Sequence, residues 1–186
     1  MRKGESKVEF KGSNACAGID LDGSGSVDLC SGWGFFDHML NAFARTALLD
    51  LTARSDGGFY RGEALGKAIG QSLDQALGDR RGIRRYGSAA VPMDEALAEV
   101  ALDFSGRPFL AFVGEFRGDR IGDFETFQIR AFLEALTNGA RLTLHIRFFG
   151  ENDHHKAESI FKALGFAVRQ AVRVEGTDVP STKGII

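Results

Sequence analysis

Apolar side chains at Phe36, Met39, Leu40, Phe43 and Ala47 follow the i, i+3, i+4 spacing of a helix with one buried face, and predict a helix over Phe36–Leu48. The same period recurs from Gly62 to Leu77 and stops at Gly78-Asp79, where glycine favours a helix end. It returns from Glu125 to Leu136 and over a long amphipathic stretch, Asn152 to Val172. Between these helices, "LLDLTAR" (48–54), "EALAEVALDFSG" (95–106), "RPFLAFVGEF" (107–116) and "RLTLHIRFF" (141–149) read as strands, the middle two joined at Ser105-Gly106. Residues 7–31 alternate loosely around Asp22-Gly23-Ser24-Gly25, which predicts a β-hairpin turning there. The order strand-strand-helix-strand-helix thus occurs twice. Short strands feeding helices on one face of each sheet predict an α+β architecture.

The repetition is visible residue by residue. Glu63-Ala-Leu-Gly-Lys67-Ala-Ile-Gly70 matches Glu158-Ser-Ile-Phe-Lys162-Ala-Leu-Gly165 at an offset of 95 residues, and "LDLTAR" echoes "LTLHIR" at an offset of 93. A duplicated half-domain follows, one domain made of pseudo-repeats over about residues 1–88 and 89–186. The copies differ in one respect. His154 and His155 precede the second glutamate, whereas Phe59 and Tyr60 precede the first.

Composition narrows the partners. The 186 residues carry a formal net charge of −2 and a pI near 6.1 with no basic stripe, which argues against nucleic acid and anionic membranes. No stretch approaches 18 apolar residues and "MRKGESKVEF" has no apolar signal core, so a soluble, cytoplasmic protein is expected. Cys16 and Cys30 have no metal or redox spacing and read as reduced thiols.

His154-His155-x-x-Glu158 is the strongest chemical signal. On a helix each histidine lies three or four residues from the glutamate, near its side of the helix, while the adjacent histidines diverge by about 100°. One pair can therefore serve two metal centres, or one centre in each of two contacting subunits. Imidazole with carboxylate suits Mn, Fe, Zn or Ni better than Ca. His145 on the preceding strand and His38 complete the four histidines of the chain. A polar helix start with a first-turn acid is the plain alternative.

"GFFDHML" (34–40), "GDRRGIRRYGSAAVPMDEALAEVALDFSGRP" (78–108), "LTLHIRFFGENDHHKAESIFKAL" (142–164) and "PSTKG" (180–184) together resemble the imidazoleglycerol-phosphate dehydratases. The resemblance implies a duplicated α+β fold, its half-domains similar to some ribosomal protein folds. It also implies a homo-oligomer of 24 subunits built from trimers, and intersubunit active sites with two manganese ions. The implied activity is the dehydration of imidazole glycerol phosphate to imidazole acetol phosphate in histidine biosynthesis. The implied metal ligands are His38, Glu63, His145, His154, His155 and Glu158. Phosphate contacts fall on Arg85, Arg107, Ser181 and Lys183.

Five residues, Phe59, Tyr60, Ala64, Gly12 and Thr46, depart from that pattern. The first His-His-x-x-Glu-Asp motif registers on Phe59, Tyr60, Arg61, Gly62, Glu63 and Ala64, the glutamate implicated in proton transfer falls on Gly12, and a substrate-contacting histidine falls on Thr46. The catalytic base is therefore unassigned, with Glu5, Glu9 or Asp20 as substitutes. Three readings stay open: a dehydratase with a variant site, a catalytically inactive or structural homologue, and a metalloenzyme acting on another small phosphorylated compound.

Overall fold

The computed structural model describes residues 2–180. The first half runs β1 (Lys3–Phe10), β2 (Ser13–Asp20), β3 (Val27–Cys30), α1 (Gly34–Ala47), β4 (Asp50–Ser55) and α2 (Arg61–Leu77). The second runs β5 (Tyr86–Met93), β6 (Ala96–Asp103), β7 (Phe109–Val113), α3 (Phe127–Ala140), β10 (Thr143–Phe149) and α4 (Asp153–Ala171), with a two-stranded excursion, β8 (Arg120–Ile121) and β9 (Phe124–Glu125), before α3. The sheet orders β1-β2-β4-β3 and β5-β6-β10-β7 are the same topology twice. Each half is β-β-β-α-β-α, one strand more than the predicted five-element unit.

Two expected turns are corrected. The first hairpin does not turn at Asp22–Gly25. It turns at Lys11-Gly12, between the paired Phe10 and Ser13, and both turn residues have positive φ (48° and 80°). Such a two-residue loop matches the strand twist and favours glycine. Residues 22–25 instead carry the chain from β2 to β3, which lies beyond β4 and parallel to it. Likewise Ser105-Gly106 does not join a hairpin, because β7 pairs in parallel with β10 and not with β6. β6 pairs with β5, a strand the pattern missed because "YGSAAVPM" combines Gly, Ala and Pro, all poor strand formers. Glu125 belongs to β9, and the third helix starts at Phe127.

Helices cover one face of each sheet, α2 lying on β1 and β2 and α4 on β5 and β6, while α2 packs on α3 and α1 on α4. The four helices thus form a layer between the sheets. At its centre Phe36 of α1 stacks on Phe124 (5.2 Å) and meets Phe132 of α3 edge-on (4.9 Å), and Phe132 faces Phe161 of α4 at 5.8 Å. All four rings are buried. Ring burial with offset or edge contact contributes beyond area alone. Close helix approaches fall at equivalent glycines. A Cβ on Gly70 would lie 2.5 Å from Leu136 O, and one on Gly165 would lie 2.5 Å from Phe43 O.

The outer face of the second sheet exposes Tyr86, Phe109, Val113 and Phe149, whereas that of the first is lined by polar and small residues. There Cys16 and Cys30 both register against Arg54 from opposite sides. Two strand spacings, about 9–10 Å, exceed the Cα separation a disulfide spans. No described helix is long and apolar enough to cross a membrane.

The β2–β3 connection makes a pH prediction. Asp50 Oδ1 accepts the Ser24 and Ser26 N–H groups at 2.8 and 2.9 Å, which holds its carboxyl below the usual range, the Ser24 bond being the largest cause. Its stabilising contribution is complete above the ordinary carboxylate pKa and is lost as pH falls through the lower folded value. Urea midpoints of wild type and Asp50→Asn should therefore differ by a constant amount near neutrality, the gap closing only below about pH 4.

Candidate metal centre

Asn152 caps α4, its side chain accepting the N–H of His154 at 2.9 Å, and so places both histidines in the first helical turn. His154 and Glu158 then stack at i, i+4, with His154 Nε2 3.3 Å from Glu158 Oε2. His38, on α1 across the helix seam, brings its Nε2 to 3.4 Å from the same oxygen. Ligating atoms of all three lie within 4.8 Å of one another. Phe35 meets the His154 ring edge-on at 5.3 Å. The two imidazoles are nearly half exposed while the carboxylate is buried, so the cluster opens outward from a fixed oxygen.

Lys162 Nζ holds the other carboxylate oxygen, Oε1, at 2.8 Å. Burial is the largest single influence on Glu158 and pushes its pKa up, but Lys162 and His38 together bring it below the usual value. An ionised carboxylate beside two imidazoles is a nitrogen–oxygen donor set suited to a borderline divalent ion. The residues fit a metal.

Only three of the six predicted ligands meet within the chain. His155 diverges as helix geometry requires. Its Nδ1 lies 2.9 Å from Glu95 Oε2 and its Nε2 3.6 Å from Asp94. This pairing with Glu95 raises the His155 pKa, while the Glu95 carboxyl falls to about 2, chiefly through the Asn152 N–H. His145 stands on the outer face of β10, beside Phe109, in a depression of about 600 Å³. Glu63 lies near the start of α2 and lines a cavity of about 410 Å³ with Lys67, Glu134 and Asn138.

The positions ahead of Glu63 are used differently. Tyr60 meets Phe10 edge-on at 6.0 Å and carries Lys11 over its face at 4.6 Å, tying the β1–β2 hairpin to α2. Phe59 is exposed, and Arg61 stacks 3.5 Å over Trp33. Arg61 Nε, Glu63 Oε2 and Gln128 Oε1 are buried polar atoms without hydrogen-bond partners among the described residues. They belong to the segment where the resemblance puts its first histidine pair, and to the helix start packed on it. Thr46 folds its hydroxyl back onto Ala42 O at 2.8 Å in the α1–α4 seam.

Of the phosphate contacts, Arg85 grips Asp103 at 2.6 and 3.0 Å and donates to Pro180 O at 2.7 Å, so its guanidinium is largely engaged within the chain. That last bond puts the start of "PSTKG" beside it. Arg107 is exposed and touches Ser105 O at 3.3 Å. Ser181 and Lys183 lie outside the described residues. Sequence reasoning passed over Lys162 as an anchor, although its i+4 spacing from Glu158 was legible. It also passed over Glu95, which no local signal links to His155, 60 residues away.

A doubled sheet-and-helix unit with a histidine–glutamate cluster at its helix seam defines an α+β protein with a donor set that could hold a divalent ion. The imidazoleglycerol-phosphate dehydratase family pattern matches residues 31–168, and the chain belongs to that family. It is 44% identical over 191 residues to the imidazoleglycerol-phosphate dehydratase of Methanosarcina barkeri, covering all of both chains. It is 51% identical over 176 residues to that of Moorella thermoacetica, covering 90% of each. The crystal structure of the Staphylococcus aureus dehydratase superposes with a TM-score of 0.84 at 33% identity, covering 92% of this chain and 99% of that one. The Pyrococcus furiosus enzyme in complex with (S)-C348 gives 0.84 at 31%, covering 97% and 100%.

Proposed function

We propose that the chain removes water from imidazole glycerol phosphate to give imidazole acetol phosphate, in the cytoplasm and within histidine biosynthesis, using Mn²⁺ held by His38, His154 and Glu158. The convergence of two imidazole nitrogens on one buried carboxylate oxygen carries this reading. Bound there, the ion supplies Lewis acidity that stabilises negative charge developing in the substrate's imidazole ring. The chain's own residues do the rest. Lys162 keeps Glu158 ionised and fixed, so that Oε2 faces the site. Arg107, Lys183, Ser181 and the remaining donors of Arg85 receive the phosphate, arginine as a fork and lysine as a point charge.

His145, His155 and Glu63 point elsewhere than the cluster. In this reading they complete centres shared between subunits of a 24-subunit assembly of trimers. The exposed outer sheet face carrying His145 supports this arrangement. Proton abstraction needs a base that Gly12 does not supply, because glycine has no side chain to accept a proton. Asp20 is paired with Lys3 at 2.9 Å, which leaves Glu5 and Glu9, exposed on the outer face of β1, as the available carboxylates. A missing base costs about 10²–10⁴-fold in rate.

Phe59, Tyr60 and Gly12 favour a second reading, a homologue that keeps fold and assembly without turnover. An assay on imidazole glycerol phosphate in excess Mn²⁺, with elemental analysis of the purified protein, separates the two. Bound manganese with turnover supports the dehydratase. Neither metal nor turnover supports the scaffold, and metal without turnover points to another small phosphorylated substrate.

A further inference from the structure

Glu95 sits in the two-residue loop of the β5–β6 hairpin, between the paired Met93 and Ala96. Its carboxylate is fixed from two directions. Oε1 accepts the N–H groups of Glu151 and Asn152 at 3.0 and 2.7 Å, the second belonging to the residue that caps α4. Oε2 lies 2.9 Å from His155 Nδ1. A carboxylate that is itself hydrogen-bonded, and that faces one ring nitrogen of a histidine, is how proteins select which nitrogen binds a metal.

Resting on the metal-dependent reading above, we infer that Glu95 is a positioning residue for His155, holding its Nδ1–H and presenting Nε2 as the ligating atom. Asp94, the other carboxylate near this ring, lies 3.6 Å from Nε2 and is 77% exposed, so an arriving ion can displace it. The geometry accounts for an adjacent histidine pair serving two centres. Asn152 orients the first turn of α4, His154 turns toward Glu158, and Glu95 locks His155 in the opposite direction. An ion pair that merely secures the start of α4 would use the same contacts, so the test must separate the two roles.

Calorimetric titration of Mn²⁺ into metal-stripped full-length protein does so. E95A and E95S should weaken Mn²⁺ binding about 10–100-fold. E95Q keeps a single acceptor oxygen where the carboxylate uses two, so it can serve the backbone N–H groups or Nδ1–H but not both, and should recover only part of that affinity. H155A should weaken binding too, and in an H155A background E95A should cost nothing further. An equal loss from E95A in both backgrounds would show a structural role and overturn the inference. Unchanged affinity in H155A would also overturn it, while leaving His38, His154 and Glu158 as a metal centre. No Mn²⁺ binding by the wild type would overturn both.

Discussion

Glu158→Ala is expected to abolish tight Mn²⁺ binding, with a loss of about 100-fold or more in affinity, since removing even an outer-shell partner typically costs 10–100-fold. Three cationic or ligating side chains, His38, His154 and Lys162, converge on this one carboxylate. Without it the two imidazoles keep no common anchor and Lys162 loses its partner. Folding should change little, because His38 and His154 are nearly half exposed and Lys162 is about one-third exposed, positions from which charge is easily solvated. The measurement is paired: metal content after dialysis against Mn²⁺, and a thermal midpoint on the same sample. Metal loss with a nearly unchanged midpoint is the expected outcome. Full metal content in the variant would move the centre elsewhere.

Gly165→Ala is expected to have a large effect on stability. The added Cβ would meet Thr46 Oγ1 at 2.0 Å, Phe43 O at 2.5 Å and Ala47 N at 3.0 Å. Two of these are backbone atoms of α1, which cannot rotate away, so the helices must separate. Overpacking of this kind costs about 2–3 kcal/mol, or roughly 5–10 °C in midpoint at this size. The same displacement carries His38 away from α4, so Mn²⁺ affinity should fall as well, although no ligand has changed. Gly34→Ala is the control, because its Cβ meets nothing within 4 Å. It should fold and bind metal like the wild type.

Much of this architecture was legible because its signals are local. The helical period at Phe36–Leu48 and Gly62–Leu77 marks α1 and α2 to within a few residues, and the 95-residue offset accords with the strand order that both sheets share. What was not legible is which strands are neighbours. β3 and β7 reach their sheets by parallel pairing with strands that lie beyond a helix in sequence, and no turn signal announces such contacts. Asp22–Gly25 looked like a hairpin because its residues favour turns, yet Lys11-Gly12, with a single glycine, is where the chain reverses.

The candidate site divides along the same line. His154 and Glu158 could be placed together from spacing on one helix, whereas their meeting with His38 depends on the α1–α4 seam. His155, next in sequence to His154, could be read as facing another way, but its partner Glu95 belongs to a hairpin in another strand pair. Phe59 and Tyr60 could be read as standing where the resemblance puts a ligand pair. That Tyr60 now packs against Phe10 and under Lys11 required the fold.

On the proposed reading, this chain works as a metal-dependent dehydratase with the single histidine pair His154-His155 and with a glycine at position 12. The most direct measurement is turnover of imidazole glycerol phosphate by protein stripped with a chelator and then reloaded with Mn²⁺, alongside Glu158→Ala treated identically. Product is expected only from the reloaded wild type. Absence of product from a wild type that has taken up its metal would contradict this reading.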